Sequence, residues 1–197
     1  MTMDPVPPDA ARAGSMRRAP AGKPGRTARL AIEPLRVEHA PLLFPLLADP
    51  RLYTYAPDTA RTSIAALIER FEALERGAPE GENEVWLNWW LQRLDSGAPI
   101  GTLQATVTPG SHAWIGYSLA PAAWGQGFAT EAAAWLVADL PARYGLREIR
   151  ASVDVRHAKS IALLQRLGFE CLGTEAADLN GEATTDYLFR LACRPTA

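Results

Sequence analysis

Lysine is almost missing from this chain: of 20 basic residues only Lys23 and Lys159 are lysine, and the rest are arginine. Alongside the abundant Ala and Pro, this is a compositional bias and carries no mechanism. Cysteine is scarce as well. Cys171 and Cys193 lie too far apart for a metal-ligand pair and read as two small buried hydrophobes in a reducing compartment. His39, His112 and His157 show no ligand spacing, which argues against a zinc site or any other metal. No apolar run approaches the ~20 residues of a membrane span. No apolar segment follows the N-terminal positive charges as it would in a secretory signal. A net charge of −2 speaks against binding nucleic acid through bulk charge. These absences point to a cytoplasmic protein with neither membrane nor metal.

What is present is ordinary for a globular protein: 197 residues, 48% hydrophobic and 21% charged, enough for one domain and a tail. Residues 1–26 are rich in Pro, Ala, Gly and Arg and lack apolar periodicity, which predicts a disordered extension. Its Arg12, Arg17, Arg18, Lys23 and Arg26 could touch RNA or an acidic partner, although a solvated tail is the simpler reading. The folded domain is expected over 27–194.

Within it, 29–33 alternates like a strand, and 35–48 has helical spacing that Pro45 would split into two short helices. Thr62 or Ser63 can cap a second helix carrying Ile64, Leu67, Ile68, Phe71 and Leu74 and stopped at Gly77. Strands over 85–94, 100–107 and 113–119 form a meander through the turns Asp95-Ser96-Gly97 and Pro109-Gly110. Helix 130–140, strand 148–153, helix 158–167 and strand 169–173 follow, and Asn180-Gly181 turns into a last strand over 184–191. This order predicts an α/β (α+β mixed sheet) fold: an antiparallel meander, then βαβα and a final hairpin, with helices on both faces.

The segment from Ile115 through Trp124-Gly125-Gln126-Gly127-Phe128-Ala129-Thr130 is a strand, a glycine loop and a helix start. Gly125 and Gly127 let backbone amides approach a ligand with no Cβ in the way. The unpaired N–H groups and dipole of the following helix favour a phosphate or pyrophosphate. A tight strand–helix turn would need the same glycines. A dinucleotide site is a poorer match, because Thr130 stands where G-x-G-x-x-G has its third glycine.

Two blocks together resemble the GNAT acetyltransferase superfamily, in the RimJ/RimL-like branch that acetylates protein N-termini and small amines. The first is Gly116-Tyr117 through Trp124-Gly125-Gln126-Gly127-Phe128-Ala129-Thr130-Glu131-Ala132. The second is Asp154-Val155-Arg156-His157-Ala158-Lys159-Ser160-Ile161 through Leu167-Gly168-Phe169. The resemblance implies a splayed sheet holding acetyl-CoA as co-substrate, with the pyrophosphate on the backbone amides from Gly125 through Gln126, Gly127, Phe128 and Ala129 to Thr130. Trp124, Gly127 and Ala129 take the first, fourth and sixth positions of the family's signature. The pantetheine arm would pair with Tyr117, Ser118 and Leu119, and His157 and Ser160 would hold the thioester region. His157 replaces the branch's usual Asn.

The reaction implied is attack of a primary amine on the thioester in a ternary complex. The acceptor is a peptide N-terminus or a small molecule, and the protein a monomer or homodimer. Leu119 N–H is the oxyanion donor that the family uses. Leu164 occupies the slot of the family's acid tyrosine, so Ser160 becomes the acid candidate, with helix capping as its alternative and His157 as a second acid. The branch places a carboxylate base just before a Leu-Asn-Gly turn; here Ala177 fills that slot before Leu179-Asn180-Gly181. Asp178 is the leading base candidate, with Glu175, Asp186, Glu84 and a water chain beside it. Glu131 reads as structural or as a dipole complement. Trp86 and Trp90 share one strand face and Trp89 the other. Core packing is their main reading and an aromatic acceptor wall the second, with Asn88 and Gln92 on the Trp86 face. A GNAT-like module that binds acyl-CoA without turnover is the other functional reading.

Overall fold

The computed structural model describes residues 22–193. The expected disordered tail lies largely outside them. The chain enters the sheet before Thr27, because Gly25–Arg26 forms β1 against β2 (Leu30–Pro34). Gly22 and Gly25 lie flat on the indoles of Trp89 and Trp135, where a Cβ would collide with the rings. Trp89 Nε1 donates to the Lys23 carbonyl at 2.9 Å. Contacts made by bare backbone leave no apolar rhythm in the sequence, so periodicity could not reveal β1.

A 3₁₀ turn (Val37–His39) precedes α1 (Ala40–Leu47), with Pro41 in its first turn and Pro45 inside it. The break therefore falls at His39, whose Nδ1 accepts the Arg36 N–H at 2.9 Å, and not at Pro45. In α2 (Ile64–Arg76) Ser63 is the cap, its Oγ accepting the Ala66 N–H at 3.1 Å, and Gly77 ends the helix at φ 86°. The remaining elements are β3 (Val85–Arg93), β4 (Pro99–Thr108), β5 (His112–Leu119), α3 (Phe128–Tyr144), β6 (Glu148–Asp154), α4 (Ala158–Arg166), β7 (Glu170–Leu179) and β8 (Glu182–Ala192). The eight strands form one sheet in the order β1-β2-β3-β4-β5-β6-β8-β7. The pair β5–β6 is parallel and the others are antiparallel. The fold is mixed α/β, as the pattern predicts.

The helices divide between the two faces. Leu136, Leu140, Leu163 and Leu164 of α3 and α4 are buried with Leu30, Ile32, Trp89, Leu103, Ile115 and Val153. Leu43, Leu47, Leu67 and Phe71 of α1 and α2 close over Trp90 on the other side. α3 begins at Phe128, earlier than its apolar pattern, and runs through Pro141 to a left-handed Gly145. β7 is twice its expected length. Residues 170–176 are all exposed, so this edge strand buries no face and shows no alternation. Cys171 lies on it exposed and Cys193 is half-buried, which corrects the expectation that both are buried. Asn180 (φ 56°) and Gly181 (φ 90°) turn the chain into β8 with the positive φ of a type I′ hairpin. No helix among the described residues is long and apolar enough to cross a membrane.

Candidate active site

The sheet opens where β5 leaves β6. Only His112–Trp114 of β5 pairs with β6, against Glu148–Arg150, and beyond that the two strands separate. Antiparallel pairing points alternate residues to opposite edges. Ala120 N–H donates to Ile100 O on the β4 side, so Leu119 and Tyr117 turn their backbone groups toward the gap. Trp124 Nε1 donates to the Leu119 carbonyl there at 2.6 Å and pins the loop to the strand end. The Leu119 N–H faces the same opening. Ser118, between them, presents its backbone to β4 and lines the cleft with its side chain.

Gly125 (φ 73°) and Gly127 (φ 81°) are both left-handed, which any L side chain resists. Gly127 caps α3, and Glu131 N–H is bonded back to Gly127 O, so the amides of Phe128, Ala129 and Thr130 have no helical partner. Gln126 is turned away from them, its Nε2 donating to Ala122 O at 2.7 Å. Phe128 is buried beneath Arg29, whose guanidinium lies 4.4 Å from the ring centre, so its side chain anchors the loop. Glu131 ties this helix start to the first strands. It accepts from Thr27 Oγ1 (2.6 Å) and Arg29 N (2.8 Å) and pairs with the Arg29 guanidinium (2.7 Å). Burial acts to raise its pKa, yet these donors leave it lowered overall.

Across the gap, α4 presents Ser160, buried with 2% of its surface exposed. Its Oγ is 2.6 Å from the Tyr117 hydroxyl. Ser160 does not cap the helix: the cap position is His157, and no side chain caps there. Burial pushes the Tyr117 phenol up to about 12, against a smaller lowering by Ser160, so it stays protonated at neutral pH. The sequence motif involves Tyr117 only through its backbone; strand parity, which places it on the α4 side with Ile115, is the signal for its side chain. Leu164, in the family's tyrosine slot, is fully buried core. His157 stacks on Tyr55 at 4.8 Å, and its buried Nδ1 has no hydrogen bond among the described residues. Burial lowers its pKa to about 4, so at neutral pH it is an uncharged imidazole and lacks the proton of an imidazolium acid.

The other sheet face is polar. Trp86, Asn88, Thr102, Gln104, Thr106 and Trp114 line it. Gly116 leaves room for the Gln104 side chain, which a Cβ would strike. Trp89 and Trp90 are core, and Gln92 folds back onto the Gly97 carbonyl at 2.7 Å. Beyond the gap the face continues in Ser152 and three carboxylates. Ser152 Oγ donates to Asp186 at 2.7 Å and lies 3.5 Å from Glu175. Asp154 stands opposite Asp186 in register. Asp178 accepts the Gly181 N–H at 2.8 Å and so fastens its own turn; Glu84 accepts from Trp86 Nε1 at 2.9 Å. All four base candidates line one cleft of about 1850 Å³, which also takes in the glycine loop, Tyr117 and Ser160. Ser152, missed in the sequence, carries no motif; only the β6–β8–β7 register brings it to Asp186.

Asp154 holds the far wall in place. Its carboxylate accepts from the Arg156 guanidinium (2.6 Å), the Arg156 N–H (2.8 Å) and Thr184 (3.0 Å). The Arg156 bonds are the main cause that brings its pKa down to about 2. A depressed carboxylate stabilises the fold fully above its unfolded value near 3.8, and that stability is lost as pH falls through about 2. Asp154→Asn is expected to destabilise the protein by about 2 kcal/mol at pH 7. The gap to wild type should close near pH 2 in chemical denaturation curves taken across pH.

The acetyltransferase (GNAT) domain pattern matches residues 29–170. The chain belongs to the GNAT acetyltransferase family. An uncharacterized N-acetyltransferase, p20, from Bacillus licheniformis is 26% identical over 175 residues, covering 87% of this chain and 97% of that protein. RimL, the ribosomal L7/L12 α-N-protein acetyltransferase solved with coenzyme A, superposes with a TM-score of 0.74 at 20% identity, over 84% of this chain and 95% of its own. The microcin C7 self-immunity acetyltransferase MccE, solved with acetyl-CoA and AMP, gives 0.75 at 17% identity, over 85% and 94%. This GNAT protein is thus an acyltransferase, and the splayed strands and glycine loop described above lie within the matched residues.

Proposed function

We propose that this GNAT acetyltransferase transfers the acetyl group of acetyl-CoA to a primary amine by direct attack within a ternary complex. The observation that carries the reading is the open β5–β6 edge, with unpartnered α3 amides at one end and the Tyr117–Ser160 hydroxyl pair beside it. The residues fit the co-substrate. The bare amides of 128–130 and the positive end of α3 suit a pyrophosphate, and the free edge at Tyr117 and Leu119 suits the amides of a pantetheine arm. When bound, acetyl-CoA supplies the thioester; the chain supplies position and protons. Leu119 N–H offers the developing oxyanion a fixed donor. Ser160 holds the proton for the departing sulfur, and Tyr117 returns one to Ser160. Glu175 and Asp186, joined through Ser152, are the carboxylates best placed to take the proton that the amine gives up, because Asp178 and Glu84 are tied to their own strands' ends.

Calorimetric titration with acetyl-CoA and with NAD, followed by thiol release with a panel of primary amines, tests the reading. Saturable binding of acetyl-CoA without NAD binding, and thiol release dependent on an amine, are expected. Failure to bind acetyl-CoA would overturn it. Binding without release to any amine would favour the non-catalytic acyl-CoA module.

A further inference from the structure

We propose that the acceptor half of the cleft contains an anion subsite at Arg70, and that the acceptor is a small primary amine carrying a carboxylate or phosphate. The inference rests on the acetyl-transfer reading and names its substrate class.

The cations lining the cleft fall into three groups. Arg51, Arg61 and Arg156 are each paired with an aspartate, Asp49, Asp58 and Asp154, at 2.6, 2.7 and 2.6 Å. Lys159 and Arg166 stand on α4 beside the glycine loop, Lys159 at 5.5 Å from the Trp124 ring centre and Arg166 at 3.5 Å from Thr130 Oγ1. They belong to the donor half. Arg70, on α2, is the third case. It lines the cleft half-buried, and among the described residues no carboxylate lies within ion-pair distance and no group accepts its hydrogen bonds. Its side chain rises from the helix face that buries Leu67 and Phe71.

A half-buried guanidinium with no ion-pair partner is only partly hydrated, and an anion entering the cleft can pair with it. Burial indeed pulls the Arg70 pKa below the ordinary guanidinium value; Asp58 acts against that, and Arg61 adds to it. Arg61 is already engaged by Asp58, so it does not compete for an anion at the Arg70 fork, and the Asp58 charge outweighs that of Arg61 there. A planar fork of this kind matches a carboxylate or phosphate. Glu175 and Asp186 line the same cleft from β7 and β8 and attract an ammonium group. A molecule with an amine at one end and an anion at the other is therefore oriented with its amine toward the reacting end. Residues 55–56 bridge this half. Tyr55 stacks on His157, and Asn180 Nδ2 donates to Ala56 O at 3.5 Å, linking the α1–α2 connection to α4 and to the β7–β8 turn. With the α1–α2 connection tied across it in this way, this half suits a small molecule.

The test uses the full chain saturated with CoA and two matched pairs of amines: 4-aminobutyrate against butylamine, and 2-aminoethyl phosphate against ethanolamine. Calorimetry is expected to show the anionic member of at least one pair binding tenfold or more tighter, and the pair with the larger gap identifies the anion. Arg70→Gln should erase the gap while acetyl-CoA affinity stays within twofold, and Arg70→Lys should retain part of it. If Arg70→Gln loses CoA binding through misfolding, Arg70→Lys takes its place, with a gap at least threefold smaller than wild type expected. No gap in either pair, or a gap unchanged in these variants, overturns the subsite. Failure of CoA itself to bind would strike the acetyl-transfer reading, and that outcome is read in the first titration.

Discussion

Gly127→Asp is expected to weaken acetyl-CoA binding by at least 100-fold. Gly127 is the left-handed cap of α3, and the next three amides face the cleft without helical partners. A carboxylate there would accept those N–H groups itself and hold a negative charge where the pyrophosphate is proposed to sit. Arg29 would not neutralise it. The new Cβ would stand 3.4 Å from the Arg29 Nη2, but that guanidinium is already held by Glu131 and the Gln126 carbonyl. Conformational strain is a separate effect, and asparagine isolates it. Asn and Asp tolerate the left-handed region about equally and have nearly the same shape. Gly127→Asn should therefore keep binding within about tenfold of wild type, which is roughly 1.4 kcal/mol. If calorimetry gives the two variants equal losses, the glycine serves the backbone only, and the phosphate-loop assignment falls.

The same loop shows how much of the molecule the sequence makes legible. Gly125, Gly127 and the helix after them stand out because glycine at a strand–helix junction has few other uses. The meander, both central helices and the final hairpin follow from alternation and turn residues. What stays hidden is whatever depends on register or on bare backbone. β1 is held by glycines lying on indoles. β7 buries neither face and so leaves no rhythm. The site shows the same division: the donor half is local in sequence, the acceptor half is not. Ser152, Glu175 and Asp186 meet only because β8 inserts between β6 and β7. Arg70 comes from a helix whose sequence signal is simply amphipathic.

This division has a chemical consequence. The proposed donor half relies mainly on the backbone of the glycine loop and the β5 edge, whereas the proposed acceptor half is lined by side chains from α2, β3, β4, β6, β7 and β8. Acceptor preference can therefore change without disturbing the donor site, and resemblance within a family identifies the co-substrate better than the acceptor.

The proton for the departing sulfur should show in a pair of variants. Ser160→Ala is expected to lower kcat by about 100-fold or more, the usual scale for losing a general acid, with acetyl-CoA affinity nearly unchanged. The Oγ of Ser160 is buried and bonded to the Tyr117 hydroxyl, so its removal costs that one hydrogen bond and little volume. Tyr117→Phe removes the hydroxyl behind it. If Tyr117 only positions Ser160, phenylalanine should cost about tenfold in kcat and leave the pH profile as it was. If Tyr117 returns the proton, the double variant should be no worse than Ser160→Ala alone, because a relay with its first member gone has nothing left for the second to supply. Independent roles would instead multiply the two losses. Single-turnover rates with saturating acetyl-CoA separate these outcomes. A Ser160→Ala enzyme with wild-type kcat would remove both residues from the proton path and leave water as the acid.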